Sequence, residues 1–397
     1  MAAGPDSAGS EVGAEALARL CAGAADVLPK GRLGEQLAGG RPLRVKFGVD
    51  PTSPDIHLGH AVVLTKLRAF QDAGHTVVLI IGDYTARVGD PSGRDSTRPL
   101  LSAEQIEANG ITYQEQAFTV LDRERTEIRR NSEWLAMESD QLVGLIRRFT
   151  VARLLERDDF SRRMVDAQPI SALELLYPVL QGYDSVAVES DLELGATDQT
   201  FNLLFGRDVQ EAYGQPPQSI MTMPILVGTD GVRKMSKSYD NYVGVTEPAE
   251  QMFGKLMSIP DQAMADYYLL LLGDELDREQ HAGAAKRELA RRLCDRFHGE
   301  GAGAEAERRF DQVHVRRELP DEIEVARLPA SKGDVHLPAL LAGEFGISSS
   351  EARRLIDQGA VKIDGEVLAP GSLDLAAEQL AGTVLQLGKR RFRRLEP

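Results

Sequence analysis

The chain has 397 residues, 42% apolar and 27% charged, an ordinary globular composition with length enough for two or three cores. Two cysteines without CxxC spacing, Cys21 and Cys294, argue against a disulfide framework or zinc site and fit a reducing cytosol; no apolar run reaches membrane-spanning length, and the N-terminus is not a signal peptide. A formal net charge of −15 disfavours a generally basic nucleic-acid binder, so any RNA contact has to be a local basic patch on an acidic body.

Residues 1–13 read as a disordered tail, and residues 14–28 as a helix with Leu17, Leu20 and Cys21 at helical spacing. Residues 43–49 are strand-like and lead through Asp50-Pro-Thr52-Ser-Pro-Asp55 into a helical pattern over 61–72, the two prolines making a rigid turn. His57 and His60, three apart at the helix mouth, share a face where freed N–H groups and the helix dipole favour an anion. Gly59 between them lets a flat ligand approach the backbone. The reading is phosphate handling by imidazole donors; a loop with two surface histidines would look the same in isolation.

The continuous apolar run 76–81 reads as a buried parallel strand, completing a right-handed βαβ unit. The polar, glycine-rich segment 82–98 follows at a strand C-terminus, where open α/β sheets bind ligands. Asp83 and Asp90 are candidate ammonium acceptors there, and Arg94 and Arg98 candidate phosphate clamps, although Asp90-Pro-Ser-Gly93 also suits a plain β-turn. Residues 101–164 look mostly helical and salt-bridged, with apolar faces at 149–155 and 169–180 that suit packing on the sheet or a second subunit.

Tyr177, Gln181 and Asp184 form a polar stripe at i, i+4 and i+7, which needs a ligand or an internal network if it is buried. Residues 185–188 read as a strand, followed by Gly195-Ala-Thr-Asp198-Gln199, which puts an acceptor and an amide at the sheet edge or simply caps a helix. Residues 220–227 read as a strand that delivers Lys234-Met-Ser-Lys237-Ser238, two mobile point charges suited to phosphate. Helices are expected from residue 247, a linker over 321–334, and then a small module with helices at 337–341 and 348–356 and a strand entering the Asp364-Gly365 turn. Its end, Lys389-Arg390-Arg391-Phe392-Arg393-Arg394, is the required basic patch, with an interleaved aromatic for a base; a merely solvated tail is the alternative.

The paired HLGH and KMSKS motifs, in this order, resemble the signature of class I aminoacyl-tRNA synthetases. With Asp50-Pro-Thr52, Gly89 to Gly93, Tyr177 to Asp184, Gly195 to Gln199 and an S4-like tail, nearly the whole chain from Leu43 resembles the bacterial-type tyrosyl branch. The resemblance implies a doubly wound, Rossmann-like parallel sheet with a helical domain and a small α+β S4-like C-terminal domain. The expected divisions are 1–40 (tail and leading helix), 41–246 (catalytic, with a helical insertion near 101–170), 247–320 (helical, on the anticodon side), 321–334 (linker) and 335–397 (RNA-binding). It implies a cytoplasmic enzyme, homodimeric and without membrane contact, that activates L-tyrosine with ATP and Mg²⁺ and transfers it to tRNA, with no protein-bound metal.

The roles implied are specific. His57, His60, Lys234 and Lys237 stabilise the phosphates, helped by Arg94 and Arg98, while Thr52, Gly59 and Asp198 lie along ATP, Asp198 near the ribose. Asp90, Tyr177 and Gln181 receive the amino group of tyrosine, Gln199 lies near its carboxylate and Asp184 takes the phenol hydroxyl. Arg353, Arg354, Lys389, Arg390, Arg391, Arg393 and Arg394 contact RNA. Relatives carry a tyrosine just before the turn where this chain has Lys46, which leaves three options: an outward side chain, direct contact with the hydroxyl, or altered selectivity. The rivals are a tryptophanyl enzyme, an RNA-binding or amino-acid-activating paralogue that no longer charges tRNA, and an amino-acid ligase of another pathway.

Overall fold

The structure, a computed structural model, describes residues 5–92, 101–314, 323–328, 333–388 and 391–396; Arg94, Arg98, Lys389 and Arg390 lie outside them. It divides into two compact units, Met1–Ala304 and Glu305–Pro397.

The first unit is built on a six-stranded sheet: β1 (Asp26–Leu28), β2 (Arg44–Val49), β3 (Thr76–Ile81), β4 (Thr126–Arg130), β5 (Leu192–Ala196) and β6 (Ser219–Met223), in the spatial order β1-β6-β5-β2-β3-β4. All neighbours are parallel except β1, which runs antiparallel to β6. Central β3 is Val, Leu and Ile from residue 77 to 81, all buried, because helices cover both faces and leave no wet side for polar alternation. The chain moves from β2 to β3 in one direction and from β5 to β6 in the other. Right-handed crossovers therefore send the helices Leu58–Asp72 and Thr200–Ala212 to opposite faces. The order reverses between β2 and β5, and the crevice beyond their C-terminal ends is where such a sheet binds ligands.

Five expectations change. The leading helix runs Pro5–Cys21, so Pro5 onward is not a disordered tail, and residues 26–28 of the expected helix form β1, paired from Asp26↔Thr222 to Leu28↔Ile220. Residues 101–164 contain β4, an edge strand in which Arg129 pairs with Glu127 and with Glu133, and Arg130 pairs with Glu107; a salt-bridged edge looks like a salt-bridged helix in sequence. Residues 185–187 are the last turn of the helix Ala172–Ala187, launched by the Ser171–Glu174 capping box, and the strand begins only at Leu192. Within the expected linker, Val325–Arg327 is a strand paired in parallel with Arg391–Glu396.

In the first unit the helices Ala249–Met257 and Ala282–His298 pack together, and Arg296 donates to Thr65 Oγ1 (3.0 Å) on the helix Leu58–Asp72. The second unit has a five-stranded sheet over the helices Leu337–Phe345 and Ser349–Asp357, with a core that includes Leu341, Ile356, Val361, Leu385 and Leu395. Its hairpin turns on Asp364 and Gly365, both at positive φ (48° and 84°), the backbone that the Asp-Gly pair predicts.

Candidate active site

The HLGH turn is locked by its own imidazoles. His57 is the N-cap of the helix Leu58–Asp72; its Nδ1 accepts from Gly59 N (3.2 Å), and His60 Nδ1 accepts from His57 N (3.3 Å). The remaining first-turn N–H groups are also used: Leu58 N donates to Val243 O, and His60 N and Ala61 N to His57 O. This corrects the expectation that free backbone N–H groups would hold the anion. Burial, with mutual repulsion and Lys237 nearby, holds His57 well below the ordinary imidazole range, and burial first and Lys237 second bring His60 down to about 4. A neutral ring whose Nδ1 accepts carries its proton on Nε2, so the turn presents two neutral Nε2–H donors with ring centroids 3.9 Å apart. Gly59 is required locally, since a Cβ there would sit 2.9 Å from the His57 ring.

The KMSKS loop docks on this turn. Val245 N donates to Ile56 O, His57 and Gly244 form a bridge, and the Met235 Cβ lies 3.7 Å from where a Gly59 Cβ would be. The loop is stapled by buried Asn241, whose Oδ1 accepts from Ser236 N (2.8 Å) and whose Nδ2 reaches Asp230 Oδ2 (3.0 Å) and Lys234 O (3.1 Å). Four donors around Asp230, chiefly Val232 N, hold its carboxyl down at about 2. Lys237 Nζ lies 2.7 Å from Asp55 Oδ2 and Lys234 Nζ 3.4 Å from Asp198 Oδ2, so both ammonium groups rest on carboxylates at the cleft rim.

Thr52, His57, Gly59, His60, Lys234 and Lys237 line the same cleft, of about 730 Å³, as Asp90, Tyr177, Gln181, Asp184, Asp198 and Gln199. The polar stripe on the helix Ala172–Ala187 faces inward. Tyr177 OH donates to Asp50 Oδ2 (2.9 Å), and Asp50 Oδ1 accepts from Thr85 Oγ1 (2.6 Å). Burial, against those two hydrogen bonds and with the charges of Asp90 and Asp184, raises the Asp50 carboxyl to about 7. Burial keeps the Tyr177 phenol protonated, leaving its oxygen lone pairs free to accept. Asp90 accepts from Gln199 Nε2 (2.7 Å) and from Ser92 N and Oγ, and Gln181 Oε1 accepts from Asn202 Nδ2 (2.9 Å). Acceptors converging on one pocket suit an ammonium group. Deeper in, Asp184 accepts from Trp134 Nε1 (2.8 Å) and Asn131 Nδ2 (3.4 Å); burial raises its carboxyl to about 6, opposed first by Lys46.

Other placements differ from the sequence reading. Asp83 faces away as a cap, accepting from Ser132 N and Oγ. Arg393, partly buried, is spent inside the second unit on Glu324 (2.7 Å) and the Glu344 carbonyl, whereas Arg353, Arg354, Arg391 and Arg394 are exposed, Arg391 also donating to Phe345 O. Strand alternation puts Arg391 and Arg393 on the opposite face from Phe392 and Arg394, so the basic run is not one patch. Sequence reasoning missed Asp50 as the central carboxylate, and it missed Thr85, Asn131, Trp134 and Asn202. It also missed Arg157, buried in the insertion and bonded to Asp159, Asn202 and Ser92 behind Asp90. Trp134, the only tryptophan, was the one available signal. Among the described residues no group of three or more His, Cys, Asp or Glu side chains is placed to hold a metal ion.

A doubly wound sheet with HLGH and KMSKS at its switch point defines a class I aminoacyl-tRNA synthetase site, and residues 38–314 match the family of class I tRNA synthetases (W and Y), to which the chain belongs. Residues 337–373 match the S4 domain. Similar chains include the tyrosine–tRNA ligases of Thermotoga maritima (51% identical over 365 residues, 89% of this chain and 90% of that one) and Geobacter sulfurreducens (46% over 400 residues, 96% and 98%). The fold is shared with the C-terminally truncated mitochondrial tyrosyl-tRNA synthetase of Aspergillus nidulans (TM-score 0.63, 20% identity, 76% of this chain and 93% of that one). It is also shared with tyrosyl-tRNA synthetase complexed with L-tyrosine from Archaeoglobus fulgidus (TM-score 0.58, 21% identity, 74% and 99%).

Proposed function

We infer that the chain activates L-tyrosine with ATP to tyrosyl-adenylate and pyrophosphate, then transfers the tyrosyl group to the 3′ end of its tRNA. The observation that carries the reading is one cleft lined both by Nε2–H and ammonium donors and by Asp50, Asp90, Tyr177, Gln181 and Asp184. ATP enters with Mg²⁺ on its phosphates. The carboxylate of tyrosine attacks the α-phosphate, so no side chain acts as a nucleophile; catalysis is positioning and charge stabilisation. Lys234 and Lys237 exchange Asp198 and Asp55 for phosphate oxygens, and Arg94 and Arg98 assist. Thr52 and Gly59 lie along the nucleotide, Gly59 towards the adenine, with Asp198 at the ribose. Asp90, Tyr177 and Gln181 take the ammonium group, Gln199 lies by the carboxylate, and Asp184 accepts from the phenol. Tyrosine-dependent exchange of label between pyrophosphate and ATP is the direct test, and exchange supported better by tryptophan or phenylalanine would reject the substrate.

The acid limb is specific. The kcat/KM for tyrosine should fall as pH drops through about 7 to about 6, where Asp50 and then Asp184 take protons, with no separate step from His60, neutral down to about 4. A pH–rate profile at saturating ATP with an inflection only near 4 would remove the two carboxylates from binding.

The second unit and the helical part around 247–304 are read as the tRNA-binding half, with exposed Arg353, Arg354, Arg391 and Arg394 among its cations. Because Val325–Arg327 belongs to the second unit's sheet, the informative truncation removes residues 323–397 together. Pyrophosphate exchange should stay within about twofold and tRNA charging drop by about tenfold or more; equal loss of both would make the tail structural. Exposed Val143, Val151, Met164, Val165 (86% exposed) and Leu173 cluster in sequence around the insertion and favour a second copy of the chain as partner. Sedimentation at micromolar concentration should give a dimer that Val165→Asp weakens. No helix among the described residues is long and apolar enough to cross a membrane, and the two free thiols agree with a reducing cytosol.

A further inference from the structure

Lys46 and Glu193 are register partners on β2 and β5, the two strands between which the sheet order reverses. Both side chains are sealed, at 0% and 1% exposure, with Nζ 2.8 Å from Oε1. The outward option for Lys46 is therefore closed. The ammonium also donates to Gln181 O (3.0 Å) and Ser185 Oγ (2.8 Å), while Glu193 accepts from Gln181 Nε2 (3.2 Å), Ser185 Oγ (3.2 Å) and Gln218 Nε2. Gln181 is thus held at both ends, its carbonyl by Lys46 and its side-chain NH₂ by Glu193. With Nε2 on a carboxylate, the amide cannot flip without pointing Oε1 at a negative charge. Oε1 stays with Asn202 Nδ2, and its second lone pair remains available to a donor in the pocket.

A buried ion pair contributes little stability compared with apolar residues of the same size, so stability does not account for one at the floor of a ligand cleft. We propose that the Lys46–Glu193 pair is a positioning unit for amino-acid recognition, which fixes the Gln181 amide with its oxygen presented to the substrate ammonium and thereby sets the affinity for the amino acid rather than for ATP. The inference rests on the activation reaction inferred above.

The test uses the full-length chain, with pyrophosphate exchange read against tyrosine and ATP separately. Removing one charge alone would strand the other, so the informative variant is Lys46→Met with Glu193→Leu, which removes both. Melting near the wild-type temperature, a tyrosine KM raised roughly tenfold or more, and an unchanged ATP KM are expected. Restoring an acceptor in Lys46→Met/Glu193→Gln should recover most of the tyrosine KM. A tyrosine KM unchanged in the Leu variant, or tyrosine and ATP KM raised equally, would overturn the inference. If the Leu variant does not fold, Lys46→Met/Glu193→Met takes its place: a tyrosine KM raised roughly tenfold with ATP KM fixed is expected, and an unchanged tyrosine KM or equal shifts in both would overturn the inference. Absence of tyrosine-dependent exchange in the wild type would instead reject the reaction itself.

Discussion

His60→Ala should lower the rate of tyrosine-dependent pyrophosphate exchange by about 10²- to 10³-fold, the usual cost of losing one preorganised donor to a developing charge. Tyrosine KM should hardly change, because the ring stands at the opposite end of the cleft from Tyr177 and Asp184 in the scheme inferred here. His60→Gln is the sharper variant. The ring is neutral, with Nδ1 committed to His57 N, so what it offers is one Nε2–H, which a glutamine amide can partly replace. Stopped-flow measurement of adenylate formation should place Gln well above Ala. Equal rates for the two would mean that the imidazole works as a cation, contrary to the burial that suppresses its charge.

Asp184→Ala should reduce kcat/KM for tyrosine by about 10²-fold, in the range expected for a charge-assisted hydrogen bond plus stranded partners, and leave ATP KM unchanged. The stranded partners are Trp134 Nε1 and the Asn131 amide, which hold the carboxylate now. Asp184→Asn keeps the shape but offers an NH₂ where the indole N–H already donates, so it should recover little. Steady-state exchange with each substrate varied in turn decides the matter: equal loss for tyrosine and ATP would strip Asp184 of a role in recognition. Because the unpaired carboxylate is costly to bury, phenylalanine should remain a poor substrate for the wild type and gain relative to tyrosine in Asp184→Ala.

The two signature loops were legible because their chemistry is local. His57 and His60 cap the helix they begin, and Asn241 staples the loop that carries Lys234 and Lys237, so a few neighbouring residues suffice to build each. The buried face of Tyr177, Gln181 and Asp184 was legible as a stripe for the same reason. Arg157 was not, since one more arginine in a charged insertion looks like any surface ion pair until it is found beneath Asp90. Asp50 was read as part of a turn, and its place at the centre of the pocket depends on Thr85 and Tyr177, which come from two distant elements. Gly82 shows how tight that meeting is: a Cβ there would lie 2.2 Å from Asp50 Oδ1. The strand expected at residues 185–188 failed because a buried helix end and a buried strand are both short apolar runs.

By itself the sequence determined the HLGH and KMSKS turns, the β2–helix–β3 unit, and the separate small module at the C-terminus, since each is written in residues a few positions apart. The tertiary structure alone decided that Lys46 turns inward onto Glu193, that His57 and His60 are uncharged, and that Arg393 is committed to Glu324 and the Glu344 carbonyl. Those three outcomes depend on strand register, desolvation and long-range partners, which are properties of the packed chain and leave no mark on any short stretch of it.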